Sequence, residues 1–347
     1  MHTRRRFLQS TLAAAAAPTL AAPAKAADSF WFFVVGDTHF LADAAQPRRL
    51  QAASEAVTQG LIETLNHLPG TPIPEEAGGG VVGVPEGLIH CGDLIDSGDK
   101  AEPEFLRMQA TEWEAYERSF GLAGGDGLLR MPVLEVYGNH DAPNGNELVL
   151  GKLAERNARR RGLTRVSENR LHYSWDWHGV HFVNLGIVVG GRTAAAGRRR
   201  YEPLDSLDFL RADLAAHTAA SDGPVVLTHH IDVLGWSAPP NPLAPAANLR
   251  WDGADIEAYH DAIHGHRVAA IFHGHTHNRR IFRWDGTPDP TAKAGFPTFN
   301  VDNASHFKSD TQGFFVVEVN RGAFRVREVV TTNRWKTLSW TPQTWTA

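Results

Sequence analysis

His273-Gly274-His275-Thr276-His277 follows an apolar run at residues 268–272 that is typical of a buried strand ending in a tight turn. In extended backbone, side chains two positions apart project to the same side, so we expect His275 and His277 to face one small volume. Neutral imidazole is the commonest metal ligand in proteins. An isolated pair of histidines is more often a surface or core feature, so a metal site here requires ligands from other strands.

Four other segments share this design, in which an apolar strand and a tight turn are followed by Asp, Asn or His. Strands predicted at residues 30–35, 88–91, 132–137 and 225–228 precede Asp37-Thr38-His39, Gly92-Asp93, Gly138-Asn139-His140-Asp141 and His229-His230. In open α/β sheets, ligands gather at the carboxyl ends of strands, so we expect the five ends to share one rim. The candidate donors number seven: Asp37, His39, Asp93, Asn139, His229, His275 and His277. His230 is expected to point the other way from His229.

The number of donors favours two metal ions, because one ion rarely takes seven ligands of this kind. If Asp93 is shared as a bridge, each ion has four protein ligands and room for water. Mixed carboxylate, amide and imidazole ligands suit Mn, Fe or Zn. Two such cations would neutralise a phosphate ester and hold a hydroxide at neutral pH.

The order of predicted elements indicates an α/β fold. Strands alternate with amphipathic helices in the first half, which favours parallel pairing. Residues 171–185 predict a hairpin around His178-Gly179, and closing antiparallel strands are predicted at 281–284, 298–301, 314–319 and 324–330. Two mixed sheets packed face to face with helices outside satisfy both halves. No repeat or clean linker divides residues 28–347, so we predict a single domain.

The five motifs, in order over residues 30–285, resemble those of the calcineurin-like metallophosphoesterases, a superfamily of two-metal phosphatases and phosphodiesterases. The resemblance implies a four-layer αββα sandwich. It implies that Asp37, His39, Asp93 and His277 bind the first metal, and that Asp93, Asn139, His229 and His275 bind the second. His140 would be the general acid or oxyanion stabiliser beside the leaving group, with Asp96 orienting it. The purple acid phosphatase branch has a tyrosine where this chain has Asp96, so that branch is disfavoured.

The expected activity is therefore metal-dependent hydrolysis of phosphate mono- or diesters by a metal-bridging hydroxide, with His140 assisting departure of the alcohol. Small phosphomonoesters, nucleotides and cyclic nucleotides all fit, so a cyclic-nucleotide phosphodiesterase is one alternative within the class. A second alternative is a metal-binding module without turnover, which would have no need of His140 and Asp96. A third is a metal-dependent hydrolase of carbon esters or amides.

The N-terminus predicts export. Thr3-Arg4-Arg5-Arg6-Phe7-Leu8-Gln9 is followed by an Ala- and Leu-rich stretch and then Ala24-Lys25-Ala26-Ala27, the pattern of a secretory signal peptide of twin-arginine type. We therefore expect a periplasmic or secreted protein cleaved after Ala26 or Ala27, although a basic tail is the simpler alternative. Loss of residues 1–27 removes four basic residues and no acidic ones, so the formal charge moves from −5 to −9.

That acidic balance argues against long nucleic acid as a partner, because backbone binding needs positive charge. A small phosphate ester is the expected partner. No internal stretch is long and apolar enough to span a bilayer, so no stable membrane insertion is expected once the signal is removed. The oligomeric state is left open.

Several other residues have simpler expected roles. The single cysteine, Cys91, is expected to be small and buried, and one cysteine excludes an intramolecular disulfide. Trp236 and Trp251 flank a Pro-rich insertion and either pack or cap a pocket. Residues 198–200, three arginines, predict a solvated loop with substrate phosphate as the alternative. His90 and His273 precede motifs and are candidates for supporting the ligands.

Overall fold

The computed structural model describes residues 29–145, 147–192, 199–236 and 250–347. The predicted signal peptide lies outside this part of the chain and stays a prediction. The described residues form the strands β1 Ser29–Val35, β2 Ala42–Asp43, β3 Gln46–Leu50, β4 Pro85–His90, β5 Val133–Glu135, β6 Leu163–Val166, β7 Tyr173–Trp177, β8 Val180–Asn184, β9 Val225–Thr228, β10 Val268–His273, β11 Arg280–Trp284, β12 Phe296–Asn300, β13 Gln312–Asn320, β14 Ala323–Thr331, β15 Ser339–Trp340 and β16 Trp345–Thr346. Their α-helices are α1 Ala52–His67, α2 Pro103–Phe120, α3 Leu148–Arg159, α4 Ser206–Ala220 and α5 Gly253–Ile263.

Fourteen of these strands form two seven-stranded mixed sheets. The first has the order β15-β14-β13-β1-β4-β5, with β16 also paired to β14, and the second has the order β11-β12-β10-β9-β8-β7-β6. Strands β1, β4 and β5 are parallel, as are β8, β9, β10 and β12, whereas the outer strands pair antiparallel. The predicted mixture of a parallel centre and antiparallel hairpins is confirmed.

Alternation along β1 shows how the layers are stacked. Phe32 belongs to the core between the sheets, where its ring centroid lies 5.4 Å from Phe182 and 6.0 Å from Phe272 of the second sheet. Phe33, one residue on, points to the opposite face and joins the core that contains Val57 of α1. Because successive strand residues face opposite sides, each sheet has one face on its partner and one on helices. The predicted four-layer αββα sandwich is confirmed.

The observed elements differ from the predictions at β5 and in several short strands. Strand β5 has three residues rather than six, because its pairing with β4 stops at Glu135 and the backbone then turns toward the rim. The short edge strands β6, β15 and β16, and the strands β2 and β3 that pair with each other, were not predicted from the sequence. The hairpin of β7 and β8 is confirmed, with His178 and Gly179 both at positive φ. None of the described helices is long and apolar enough to cross a membrane.

The carboxyl ends of the central strands of both sheets meet at one edge of the sandwich. The turns after them are bonded to one another: the Asp37 amide donates to Gly92 O at 2.9 Å, and the Gly274 amide donates to His230 O at 3.0 Å. The first sheet delivers the first three motifs to this edge, and the second sheet delivers the last two.

Candidate metal centre

Five candidate residues adopt an uncommon backbone conformation. Asp37, His39, Asp93, His275 and His277 have φ values of 56°, 46°, 54°, 72° and 51°. Non-glycine residues avoid this left-handed region, at a cost of about 1–3 kcal/mol each, and such residues cluster at functional sites. Backbone contacts compensate for the cost here; for example, the His39 amide donates to Asp93 O at 3.1 Å.

The first group of donors consists of Asp37, His39, Asp93 and His277, whose ligand atoms lie within 4.8 Å of one another. His39 Nε2 lies 3.1 Å from His277 Nε2 and 3.5 Å from Asp93 Oδ2. His277 Nε2 lies 3.3 Å from Asp37 Oδ1. Donors that each stand about 2.0–2.2 Å from one ion are separated by roughly these distances, so the four side chains fit a single cation.

The second group consists of Asp93, His230 and His275, with Asn139 beside it. His230 Nε2 lies 3.2 Å from Asp93 Oδ2 and 3.1 Å from Asn139 Oδ1. Asp93 Oδ2 therefore faces both groups, whereas Asp93 Oδ1 accepts a hydrogen bond from the His140 amide at 2.8 Å. One oxygen atom is thus placed where it could bridge two cations.

The structure corrects the choice between the two adjacent histidines. His229, predicted as a ligand, lies in an aromatic pocket with ring centroids 5.5 Å from Trp251 and 5.4 Å from Tyr259. Neither of its ring nitrogens has a hydrogen-bond partner in the described part of the chain. His230, predicted to point away, enters the cluster instead.

Strand alternation explains this reversal. Val226 faces the core between the sheets, and Leu227 faces the helix side. Since residues two apart share a face, His229 follows Leu227 toward α5, and His230 follows Val226 toward the edge where Asp93 lies. All four residues of β9 are buried, so the sequence does not show which face each one takes, and the choice between His229 and His230 needed the structure.

The role predicted for Asp96 is also corrected. Asp96 Oδ1 accepts a hydrogen bond from His39 Nδ1 at 3.1 Å, and its Oδ2 accepts from Lys100 Nζ at 3.2 Å. The Asp96 carboxylate therefore orients His39, leaving its Nε2 free to face the first group of donors. His140 Nδ1 approaches only the backbone oxygen of Asp96, at 3.3 Å, and the carboxylate nearest to it is Asp99, at 3.6 Å.

His140 stands beside the first group without belonging to either ligand set. Its ring centroid lies 4.9 Å from that of His39. Burial lowers its pKa, but the carboxylate of Asp99, 3.6 Å from Nδ1, and the charge of Asp93 outweigh burial and raise the pKa to about 10. Cations bound nearby would lower this value again by repulsion. The placement suits a proton donor at the edge of the centre.

The protonation states of the donor side chains are also compatible with binding of cations. Burial opposes their charge, yet His277 keeps the pKa of Asp37 below its usual value, and His230 keeps that of Asp93 well below it. Burial and the charge of His230 lower the pKa of His275 to about 3, so its imidazole is neutral. Burial would also lower the pKa of His230, but Asp93 raises it to about 9. A cation would therefore displace a proton from His230.

Other buried residues hold the ligand turns in place. Asp141 accepts hydrogen bonds from the Leu94, Ile95 and Gly138 amides, at 3.0, 2.9 and 2.7 Å. It therefore joins the turn that carries Asp93 to the turn that carries Asn139. His90 Nε2 lies 3.0 Å from Thr38 Oγ1, and His273 Nδ1 lies 2.8 Å from Asn300 Oδ1, so both histidines support ligand turns as the sequence suggested.

One residue at the centre was missed. His306 follows β12, and its ring centroid lies 4.6 Å from that of His39 and 4.6 Å from that of His277. The sequence pattern that could have identified His306 is the one shared by the other motifs. A strand is predicted at 298–301, and polar residues follow it, first Asp302-Asn303 and then Ser305-His306.

The remaining candidates lie away from the cluster. Trp251 is buried, stacks on Tyr259 with an interplanar angle of 4°, and donates from Nε1 to Asp232 O at 2.7 Å, so it packs rather than caps a pocket. Arg199 Nε donates to Asp255 Oδ2 at 2.7 Å, which attaches its loop to α5. Arg198 lies outside the described residues. Cys91 is buried, as predicted.

Comparison with known proteins gives a family match and distant structural likenesses. Residues 30–279 match the family described as calcineurin-like phosphoesterase. Similar solved structures include a dimetal phosphatase from Danio rerio (13% identity, 91% of this chain and 98% of that chain, TM-score 0.46) and GAP50, the anchor in the inner membrane complex of Plasmodium (10%, 90% and 88%, 0.43). A metallophosphoesterase from Sphaerobacter thermophilus is also similar (10%, 90% and 88%, 0.30). No curated protein matches the chain.

Proposed function

This chain belongs to the calcineurin-like phosphoesterase family and is a hydrolase of phosphoric esters, and from that premise we propose that it cleaves phosphate mono- or diesters with a pair of metal ions shared by Asp93. The observation that carries the proposal is the position of Asp93 Oδ2, which lies 3.5 Å from His39 Nε2 in one group of donors and 3.2 Å from His230 Nε2 in the other. A carboxylate oxygen placed between two such groups suits a bridge better than an isolated site.

Every donor except Asp93 would bind one of the two ions, and Asp93 would bind both. The first ion would be held by Asp37, His39, Asp93 and His277, and the second by Asp93, Asn139, His230 and His275. This mixture of carboxylate, amide and imidazole suits Mn, Fe or Zn. When bound, the two cations supply charge neutralisation for the phosphate and an attacking oxygen at neutral pH.

The protein itself then has three tasks. His140 holds a proton beside the first group, where it can pass to the departing oxygen of the ester. The Asp96 backbone oxygen and Asp99 lie next to its Nδ1, at 3.3 and 3.6 Å, which leaves Nε2 as the donating atom. Asp96, through its carboxylate, fixes the tautomer of His39. The proposal needs no nucleophilic side chain, and no covalent enzyme intermediate is expected.

The test compares two esters on the manganese-loaded protein. We expect turnover of p-nitrophenyl phosphate, of bis(p-nitrophenyl) phosphate, or of both, and the preferred ester decides between a phosphatase and a phosphodiesterase. His140→Ala should keep both metals and lose about 10²–10⁴ in kcat, the usual contribution of a general acid. Two bound metals without turnover of either ester would support the metal-binding module instead.

Metal content gives the matching structural test. Asp93→Asn should lose at least one metal per chain, because the bridging charge is removed. His178→Asn, on the exposed turn of the β7–β8 hairpin, serves as the control and should keep wild-type metal content. Unchanged metal content in the Asp93 variant would contradict the bridging role.

A further inference from the structure

His306 lies outside the residues that match the family, yet it stands at the candidate centre. The ring nitrogens of His39, His277 and His306 group within 4.8 Å of one another. Asp37 and Asp93 group with the same two histidines, but separately from His306. His306 therefore lies close to His39 and His277 without being grouped with Asp37 and Asp93, and it is not one of the four donors assigned to the first ion.

Backbone contacts with the turn after β1 fix the position of His306. The Ala304 amide donates to Gly36 O at 2.8 Å, and Ser305 Oγ donates to Thr38 O at 3.2 Å. Phe307, on the other side, is buried, and its ring centroid lies 5.0 Å from that of His306. The segment is thus attached to the same turn that carries two of the proposed ligands, and the imidazole is held at a defined place.

The imidazole of His306 itself is open. Among the hydrogen bonds within the described parts of the chain, its backbone amide donates to Asn303 Oδ1 at 3.2 Å, but neither ring nitrogen has a partner. Its side chain is only partly buried, and the exposed Lys308 follows two residues later. A fixed, partly exposed imidazole with free nitrogens beside a cationic side chain suits contact with an anion.

We propose that His306 donates a hydrogen bond to a phosphoryl oxygen of the substrate at the first group of donors, and thereby positions the ester. This inference rests on the function proposed above. A phosphate ester offers non-bridging oxygens that accept hydrogen bonds, and bonds to a charged acceptor are the strong ones. Because the residue lies beyond the family match, it is a feature of this chain's own C-terminal segment rather than of the five motifs.

The experiment measures binding of inorganic phosphate to the manganese-loaded full chain by titration calorimetry, together with metal content. His306→Ala should retain both metals and bind phosphate about ten- to a hundredfold more weakly, the range for losing a hydrogen bond to a charged group. His306→Gln, whose amide can donate in place of the ring, should recover part of the affinity. His264→Ala changes an exposed histidine remote from the centre and should bind phosphate like the wild type.

Two results would overturn the inference. Unchanged phosphate affinity in His306→Ala would show that the side chain does not touch the anion. Loss of a metal ion from that variant would make His306 a ligand instead. A failure of the proposed function would give a different result. The wild-type protein would then bind both metals and hydrolyse neither nitrophenyl ester.

Discussion

At the scale of single residues, the structure brings six of the seven predicted donors together and places His140 beside them. Strand ends followed by Asp, Asn or His are visible as patterns, so this convergence could be predicted. The prediction and the structure differ where two adjacent residues of the same type are both candidate ligands. His229 and His230 cannot be distinguished by composition, and only the direction of β9 decides between them. The partner of His140 was missed for a related reason: Asp96 and Asp99 lie in one turn, and their directions depend on its backbone.

The two histidines give a matched pair of variants. His229→Phe should keep both metals and leave stability unchanged or raise it by about 1 kcal/mol, because it replaces unpartnered buried nitrogens in an aromatic pocket. His230→Phe should lose the second metal. Elemental analysis and thermal melting of both variants check this, and metal loss from the His229 variant would restore the original assignment.

At the scale of elements, continuous apolar runs predicted the central strands, alternation predicted the hairpin, and amphipathic spacing predicted the helices, because burial dictates these patterns. The short edge strands were missed, since a strand of two to four residues is too short to show a period. The hairpin of β7 and β8 also makes a polar contact with α4 that the sequence pattern did not predict. His181 of β8 lies with Nδ1 2.9 Å from Asp176 of β7 and Nε2 2.7 Å from Asp213 of α4.

This contact should make stability depend on pH. Burial lowers the pKa of His181, but the hydrogen bonds with Asp213 and Asp176 outweigh burial and raise it above 6.5. A raised pKa in the folded state means that the stabilisation is complete below the unfolded value of about 6.5 and disappears as pH rises through the folded value. Urea unfolding between pH 6 and 9 should show the wild type losing its advantage over His181→Gln. A difference that is constant with pH would contradict this.

At the scale of the whole molecule, the resemblance of five ordered motifs predicted the sandwich correctly, because the motifs require two sheets whose strand ends meet. The paths of the segments at 68–87, 187–203 and 231–253, which were expected to shape the choice of substrate, could not be predicted, because these segments have no pattern that decides them. The approach of His306 to the site was also not predicted, because the segment that contains it reads as an ordinary polar loop in the sequence.

Export is a prediction about the whole chain. If residues 1–27 form a twin-arginine signal, the mature protein should begin at Ala27 or Asp28 and be found outside the cytoplasm. Replacing Arg5 and Arg6 together by lysine keeps the charge but should leave the uncleaved protein inside the cell. Mass spectrometry of the N-terminus after cell fractionation provides the measurement, and cleaved, exported protein from the lysine variant would exclude this route.

The position of β1 has a consequence for biosynthesis. This first strand lies in the middle of its sheet, between β4 and β13, so its second neighbour is not synthesised until residues 312–320. The donors from the other sheet also come late, at His230, His275 and His277. A nascent chain therefore carries four of the seven proposed donors once Asn139 is made, and it acquires the other three only between His230 and His277. A complete set of donors therefore requires synthesis at least as far as His277, and a complete first sheet requires β13.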